Sequence, residues 1–411
     1  VTASSQQPDP RRLLPLIVAI AGMGVLTFTL IAPALPDLAD ELGVSRSTIG
    51  WIQGVVAMPG IFLALFIGYV YDRAGRRTVA VASLLIFGLA GMAGFLARSF
   101  WGLVAVRAVQ GIGTSGILSS GVIVIGDLFP AGSQRRRALG INSAGLTMTG
   151  MVAPILGGGL AEADPFLPFL VFGLALPLAW WARRLPGKPD GPPPHRPMRH
   201  LQETFEVLRE RRKLADFLGL LPFAMFSLVV FVGLGATTTP LFLESEFGVS
   251  ASGRGAIQAF LSVGSTVGSL NTARLADRTG PSRVFSIGFG LIGLGFAGVA
   301  LAPVLPLVSL GLAVIGLGAG LAFPMLQDFV ASAVPATYRG AAVGAFVMAV
   351  RMGQSFGPVA GSVMAENPGS RTAYALAGLA TALILIGWRP IRSAAKRAEG
   401  KLADRRGPGA V

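Results

Sequence analysis

One pattern constrains this chain more than any other: landmarks of its first half return in its second half at a nearly fixed distance of about 205 residues. Gly43, Val44 and Ser45 recur as Gly248, Val249 and Ser250, and Gln53 recurs as Gln258. Asp72, Arg73 and Gly75 recur as Asp277, Arg278 and Gly280. Gly140, Pro154 and Gly157 return one residue earlier in phase, as Gly344, Pro358 and Gly361. A chain with this internal echo must fold as two pseudo-symmetric halves, and each half is a series of apolar segments.

Measured against the ~20 residues that cross a hydrocarbon core, the apolar runs give twelve candidate spans. They start near Leu13, Thr48, Thr78, Trp101, Ala138, Pro165, Leu214, Gly253, Arg283, Leu305, Tyr338 and Arg371. The expected fold is an all-α polytopic membrane protein of twelve transmembrane helices in two six-helix pseudo-symmetric bundles. Residues 1–182 form the first bundle and 214–390 the second. Between them lies a cytoplasmic linker, 183–213, where Leu201, Phe205 and Leu208 mark a short amphipathic helix on the membrane surface. Residues 391–411 are a basic tail. Only 13% of residues are charged, about half the share of a soluble domain.

Where the charges fall fixes the topology. Arg76 and Arg77, Arg135 to Arg137, Arg183, Arg184, Arg211 to Lys213, Arg278, Arg283, Arg339 and the tail lie on one side. Asp37, Asp40, Glu41, Glu162, Asp164, Glu244, Glu246 and Glu366 lie on the other. The positive-inside rule puts both termini in the cytoplasm. The net charge of +14 is thereby explained without nucleic acid. The run from Leu13 to Leu35 is too long for the apolar core of a signal peptide and reads as an uncleaved first helix. With no cysteine and only two histidines, both in the linker, the chain offers no metal site. Gly111 to Gly116 and Gly353 to Gly357 match a dinucleotide fingerprint and a nucleophile elbow, but neither lies in a strand-turn-helix context.

Gly68-Tyr-Val-Tyr-Asp72-Arg73-Ala-Gly75-Arg76-Arg77, between spans two and three, resembles the signature loop of the major facilitator superfamily, and Asp277-Arg278-Thr-Gly280 is its second copy. A tight turn needs Gly75, and paired charges at a helix junction can lock and release two bundles. The resemblance implies that Asp72 faces the positive end of span eleven, and that Arg76 pairs with Asp127 at the inner end of span four. Leu103 to Gly113, containing Arg107, Gln110 and Gly111, is similar to a second signature. In proton-coupled relatives that arginine tunes a carboxylate, so Arg107 is expected in coupling; a structural tie between helices is the alternative. Gly140, Pro154, Gly157 and Gly158 in span five resemble the proline-glycine signature of exporters, with Thr149 and Ala153 where glycines belong. Gly353, Gly357, Pro358 and Gly361 repeat it more fully in span eleven.

Asp328 in span ten and Arg351 in span eleven are further intramembrane charges, and such charges point to function. Helical rise places them about 10 Å apart in depth, too far for a direct pair, and Asp328 reads as a protonatable coupling group or a helix contact. Phe28, Gln53, Asn142, Phe226, Gln258, Phe323, Arg351 and Gln354 are candidate lining for a cavity with apolar walls and few polar points. The family resemblance implies proton-coupled efflux of a small amphiphilic molecule by alternating access, without cofactor, by a monomer in a bacterial inner membrane. An uptake symporter or facilitator for a sugar or other metabolite is the alternative. A polytopic membrane enzyme lacks catalytic side chains, and intact signatures weigh against a transport-dead sensor.

Overall fold

The computed structural model describes residues 10–63, 67–129, 133–187, 225–226, 229–333 and 339–387. Every described element is helical. Span one is the helix Pro10–Thr29, span three Arg76–Leu96, span four Phe100–Leu128 and span five Ser133–Ala161. Span two is segmented into Arg46–Gly54, Met58–Leu63 and Ile67–Ala74, and span six is Leu167–Leu174 followed by Ala175–Ala182. In the second half, Val229–Thr238 runs into Thr239–Phe247 as span seven. Spans eight to twelve are Ala251–Thr279, Pro281–Leu301, Leu305–Ala333, Arg339–Met364 and Ser370–Gly387. The expected starts hold to within a few residues, except that Leu214, the linker helix and the tail lie outside the described residues.

Among the described residues, six stretches are long and apolar enough by themselves to cross a membrane. Span eight is not among them, because Ser262, Ser265, Thr266, Ser269 and Asn271 lower its mean hydropathy. Some of its hydroxyls return to their own helix and others cross to span ten, where Ser269 and Thr272 donate to the Gly320 carbonyl at 3.3 and 3.1 Å. Thr266 and Thr272 donate to the carbonyls of Ser262 and Gly268 four residues back, at 2.7 and 2.9 Å.

The echo in sequence is an echo in backbone. Gly43 and Gly248 both turn the chain with positive φ, 62° and 59°, and Gly75 and Gly280 do so at 82° and 87°. A side chain at any of the four would be strained. Two compact units result: Val1–Pro197 with Ser250–Ala256, and Met198–Val249 with Ile257–Val411. In the first, span one packs on spans four and five, and span three on spans four and six. In the second, span eleven packs on span seven, and span nine on spans ten and twelve. The contacts of span nine match those of span three, and the pairing of eleven with seven matches that of five with one.

Small residues make these contacts possible, because apolar lipid removes the hydrophobic drive for helix association. A Cβ at Gly157 would strike the Leu30 carbonyl; one at Gly361 or Gly357 would strike the backbone of Gly233 or Val229. The proline-glycine residues of spans five and eleven therefore seat those helices against the first helix of their own half.

Candidate functional site

The loop between spans two and three is held from both ends. Tyr71 donates from its hydroxyl to the Gly116 carbonyl of span four at 2.9 Å, and Arg77 donates from Nε to the Leu185 carbonyl at 3.1 Å. Gly75 between them ends span two and opens span three. Arg73 is exposed and Arg76 half-buried. Gly68 lies in the helix Ile67–Ala74, and the side chains of Asp72 and Asp127 lie outside what the structure describes. In the second copy Asp277 and Arg278 are both exposed.

Arg107 is fully buried in span four and spends its guanidinium on neighbouring helices. Nε donates to the Ile52 carbonyl at 3.0 Å, Nη2 to the Thr27 carbonyl at 2.8 Å, and Nη1 to Gln110 Oε1 at 2.7 Å. Its guanidinium carbon also lies 5.8 Å from the centroid of the Phe172 ring of span six. One side chain thereby ties spans one, two, four and six. Among the described residues no carboxylate touches it. Among the described residues around Arg107 there is no acid of the kind the family resemblance expects it to tune.

Gln53 and Gln258, expected in the cavity, are buried and turned toward backbone. Gln53 Nε2 donates to the Phe28 carbonyl at 2.5 Å, and Gln258 Nε2 to the carbonyls of Gly235 and Ala236, each at 3.1 Å. In both halves the same glutamine binds the second helix to the first. Gln258 Oε1 and the buried Asn142 Oδ1 have no hydrogen-bond partner among the described residues. Phe28 is buried, Phe226 is half-buried, and the half-buried Phe323 lies against Phe346 with ring centroids 6.1 Å apart.

Asp328 is exposed on span ten, while Arg351 is 5% exposed. They form no ion pair, as the depth difference predicts. Arg351 Nη1 donates to Gln354 Oε1 at 3.2 Å, one turn away.

Two features escape a reading of the sequence. The first lies on the acidic side, where Arg254 at the start of span eight is buried and paired with Asp37, inside the first unit. Beside it, Glu162 accepts from the Ser252 N–H and hydroxyl at 2.9 and 2.7 Å. Hydrogen bonds from Ser250 and Ser252 pull the Glu162 carboxyl down to about 2. Arg98 pairs with Asp164 at 3.0 Å in the first unit, and Arg371 with Glu246 at 2.8 Å in the second. The second feature is in span seven, where Thr237, Thr238 and Thr239 each donate to a carbonyl five residues back, at 3.3, 3.2 and 2.9 Å. That marks a widened π-helical segment, a geometry frequent at functional sites. The three consecutive threonines were the available signal.

The Major Facilitator Superfamily family model matches residues 17–251 and 223–408. The gentisate transporter of Corynebacterium glutamicum is 28% identical over 368 residues, 84% of this chain and 79% of that protein. Multidrug resistance protein D of Escherichia coli is 28% identical over 204 residues, 48% of this chain and 50% of that protein. The match to the latter thus spans half its length. Among solved structures, the nucleoside transporter NupG superposes with a TM-score of 0.72 at 14% identity, over 92% of this chain and 98% of that one.

Proposed function

This chain belongs to the Major Facilitator Superfamily, and from that premise we propose that it exports a small amphiphilic molecule in exchange for protons. The family makes it a multi-pass, all-helical membrane protein of twelve-helix architecture, a secondary transporter and not an enzyme. Alternating access of this kind rocks one half against the other around a midplane site. The observation that carries export is the proline-glycine pair of spans five and eleven. Gly157 meets Leu30, and Gly357 and Gly361 meet Gly233 in the equivalent position of the other half. The similarity to Multidrug resistance protein D supports the same direction.

In this reading the protein is a monomer of a bacterial inner membrane, and the positive-inside rule supports both termini being cytoplasmic. Asp72, Arg76 and Asp127 form the conformational switch, with Arg73, Gly75 and Arg77 shaping its turn. Asp328 takes and releases the proton. Arg107 holds the frame in which that happens. The test is proton movement in proteoliposomes loaded with a pH dye: adding transported compound should drive protons across, and a protonophore should stop concentrative transport. Full concentrative transport with the protonophore present, or a strict sodium requirement, would overturn the coupling.

A second reading, uptake of a metabolite, is favoured by the gentisate transporter, which matches over most of both chains. The sign of proton flow relative to substrate separates the two.

A further inference from the structure

Arg107 and Arg351 are both buried arginines within membrane helices, yet their surroundings differ in one decisive respect. Every nitrogen of Arg107 finds a protein acceptor. Among the described residues Arg351 has one acceptor, Gln354 Oε1 at 3.2 Å, for a group with five N–H donors. No carboxylate among the described residues pairs with it, and Asp328 on the neighbouring span stays out of reach. Ser355, one turn further along the same face, is fully buried with a hydroxyl that has no hydrogen-bond partner among the described residues. The amide N–H groups of Gln354 make no hydrogen bond to a described residue. Within five residues of span eleven the second unit thus collects a cation and two further donors, without a carboxylate or matching acceptors among the described residues.

An isolated buried charge is strongly unfavourable unless something completes it. We propose that a carboxylate on the transported molecule completes this one, so that Arg351, Gln354 and Ser355 form the anchor for an organic carboxylate. The planar guanidinium suits two parallel N–H···O bonds to one carboxylate. The Ser355 hydroxyl and the Gln354 amide, at the fourth and third residues beyond it, lie on the same face to meet the remaining lone pairs. The inference rests on the carrier reading above and holds for either direction of transport.

Purified protein in detergent should be titrated with three compounds of one shape: 1-naphthoate, 1-naphthamide and 1-naphthylmethylammonium. Wild type should bind the carboxylate at least about tenfold more tightly than the amide, because a polar site rejects an analogue that leaves its groups unpaired. Arg351→Gln should erase that ratio. Arg351→Lys, which keeps the charge, should retain part of it, and Ser355→Ala should reduce it. The ratio is taken between ligands on one preparation, so a loss of folded fraction leaves it unchanged. An unchanged ratio in Arg351→Gln, or tightest binding of the ammonium by wild type, would overturn the anchor. Gradient-driven flux of 1-naphthoate is measured separately in proteoliposomes. Binding with the expected ratio but no flux refutes the carrier reading and leaves the anchor standing, whereas flux of the amide and ammonium without a ratio does the reverse.

Discussion

Replacing Arg107 by Met separates a structural tie from a proton-coupling role, and the hydrogen bonds set the size of the effect. Three bonds to a charged donor contribute about 1.5–3 kcal/mol each, at 3.0, 2.7 and 2.8 Å. Removing guanidinium from water during folding costs several kcal/mol, which offsets most of that gain. Met restores much of the volume, while Gln110 and the Thr27 and Ile52 carbonyls lose their donor. The expected net loss is about 2 kcal/mol, or a fall of roughly 4–8 °C in Tm by the scaling for larger domains. Thermal unfolding of the purified protein, followed by size-exclusion of the soluble fraction, reads it directly. Substrate binding should weaken in step with the folded fraction. If Arg107→Met kept its Tm and its binding while losing proton-driven transport alone, the tie would be refuted and the side chain would belong to the proton path.

Asp72→Asn should abolish most transport with normal expression, since a bistable switch needs a bias of only a few kcal/mol. Arg76→Ala and Asp127→Ala should be non-additive in a double-mutant cycle of transport rates, and strict additivity would sink their pairing. Gly157→Ala should lower Tm because its Cβ meets the Leu30 carbonyl, whereas Gly140→Ala should be neutral or stabilising, having nothing within 4 Å; equal effects would contradict the packing. Glu162 is depressed from 4.5 to about 2 when folded. Its stabilisation is therefore present above its unfolded value near 4.5 and lost as pH falls toward about 2. The Tm gap between wild type and Glu162→Gln should be constant at neutral pH and should close over that acidic window. A gap that stays constant down to pH 2 would refute the assignment.

What the sequence makes legible here is set by chemistry that leaves a mark at one position. Gly75 and Gly280 are such marks: the equivalent turn needs a positive φ in both halves, so the same residue stands there twice. Most spans are legible for the same reason, since each must be largely apolar along its length, although span eight is more polar than the rest. That uniformity also hides things. Span four is apolar on nearly every face, so its pattern cannot separate lipid from a neighbouring helix. The information passes instead to small residues, such as Gly113 against the backbone of Ser83 and Phe87.

Polar residues in the spans are the harder case, because type and depth do not reveal how many partners each one has. Gln53 and Gln258 look like cavity residues and serve as ties between the first two helices of each half. Arg254 looks like a charge at a helix start, yet its partner Asp37 lies 217 residues away. Two arginines that look alike in sequence differ in just this respect: Arg107 has an acceptor on each of its three nitrogens, and Arg351 has one on a single nitrogen among the described residues. An arginine tied to the frame through all three nitrogens has little left to offer a ligand, so substitution there should act through stability. An unsaturated one holds its charge open, so substitution there should act through which ligands are accepted. Arg107→Met and Arg351→Gln should therefore fail in different assays, the first in Tm and the second in the ratio of carboxylate to amide binding, and failure of both in the same assay would show that counting acceptors does not separate frame from site.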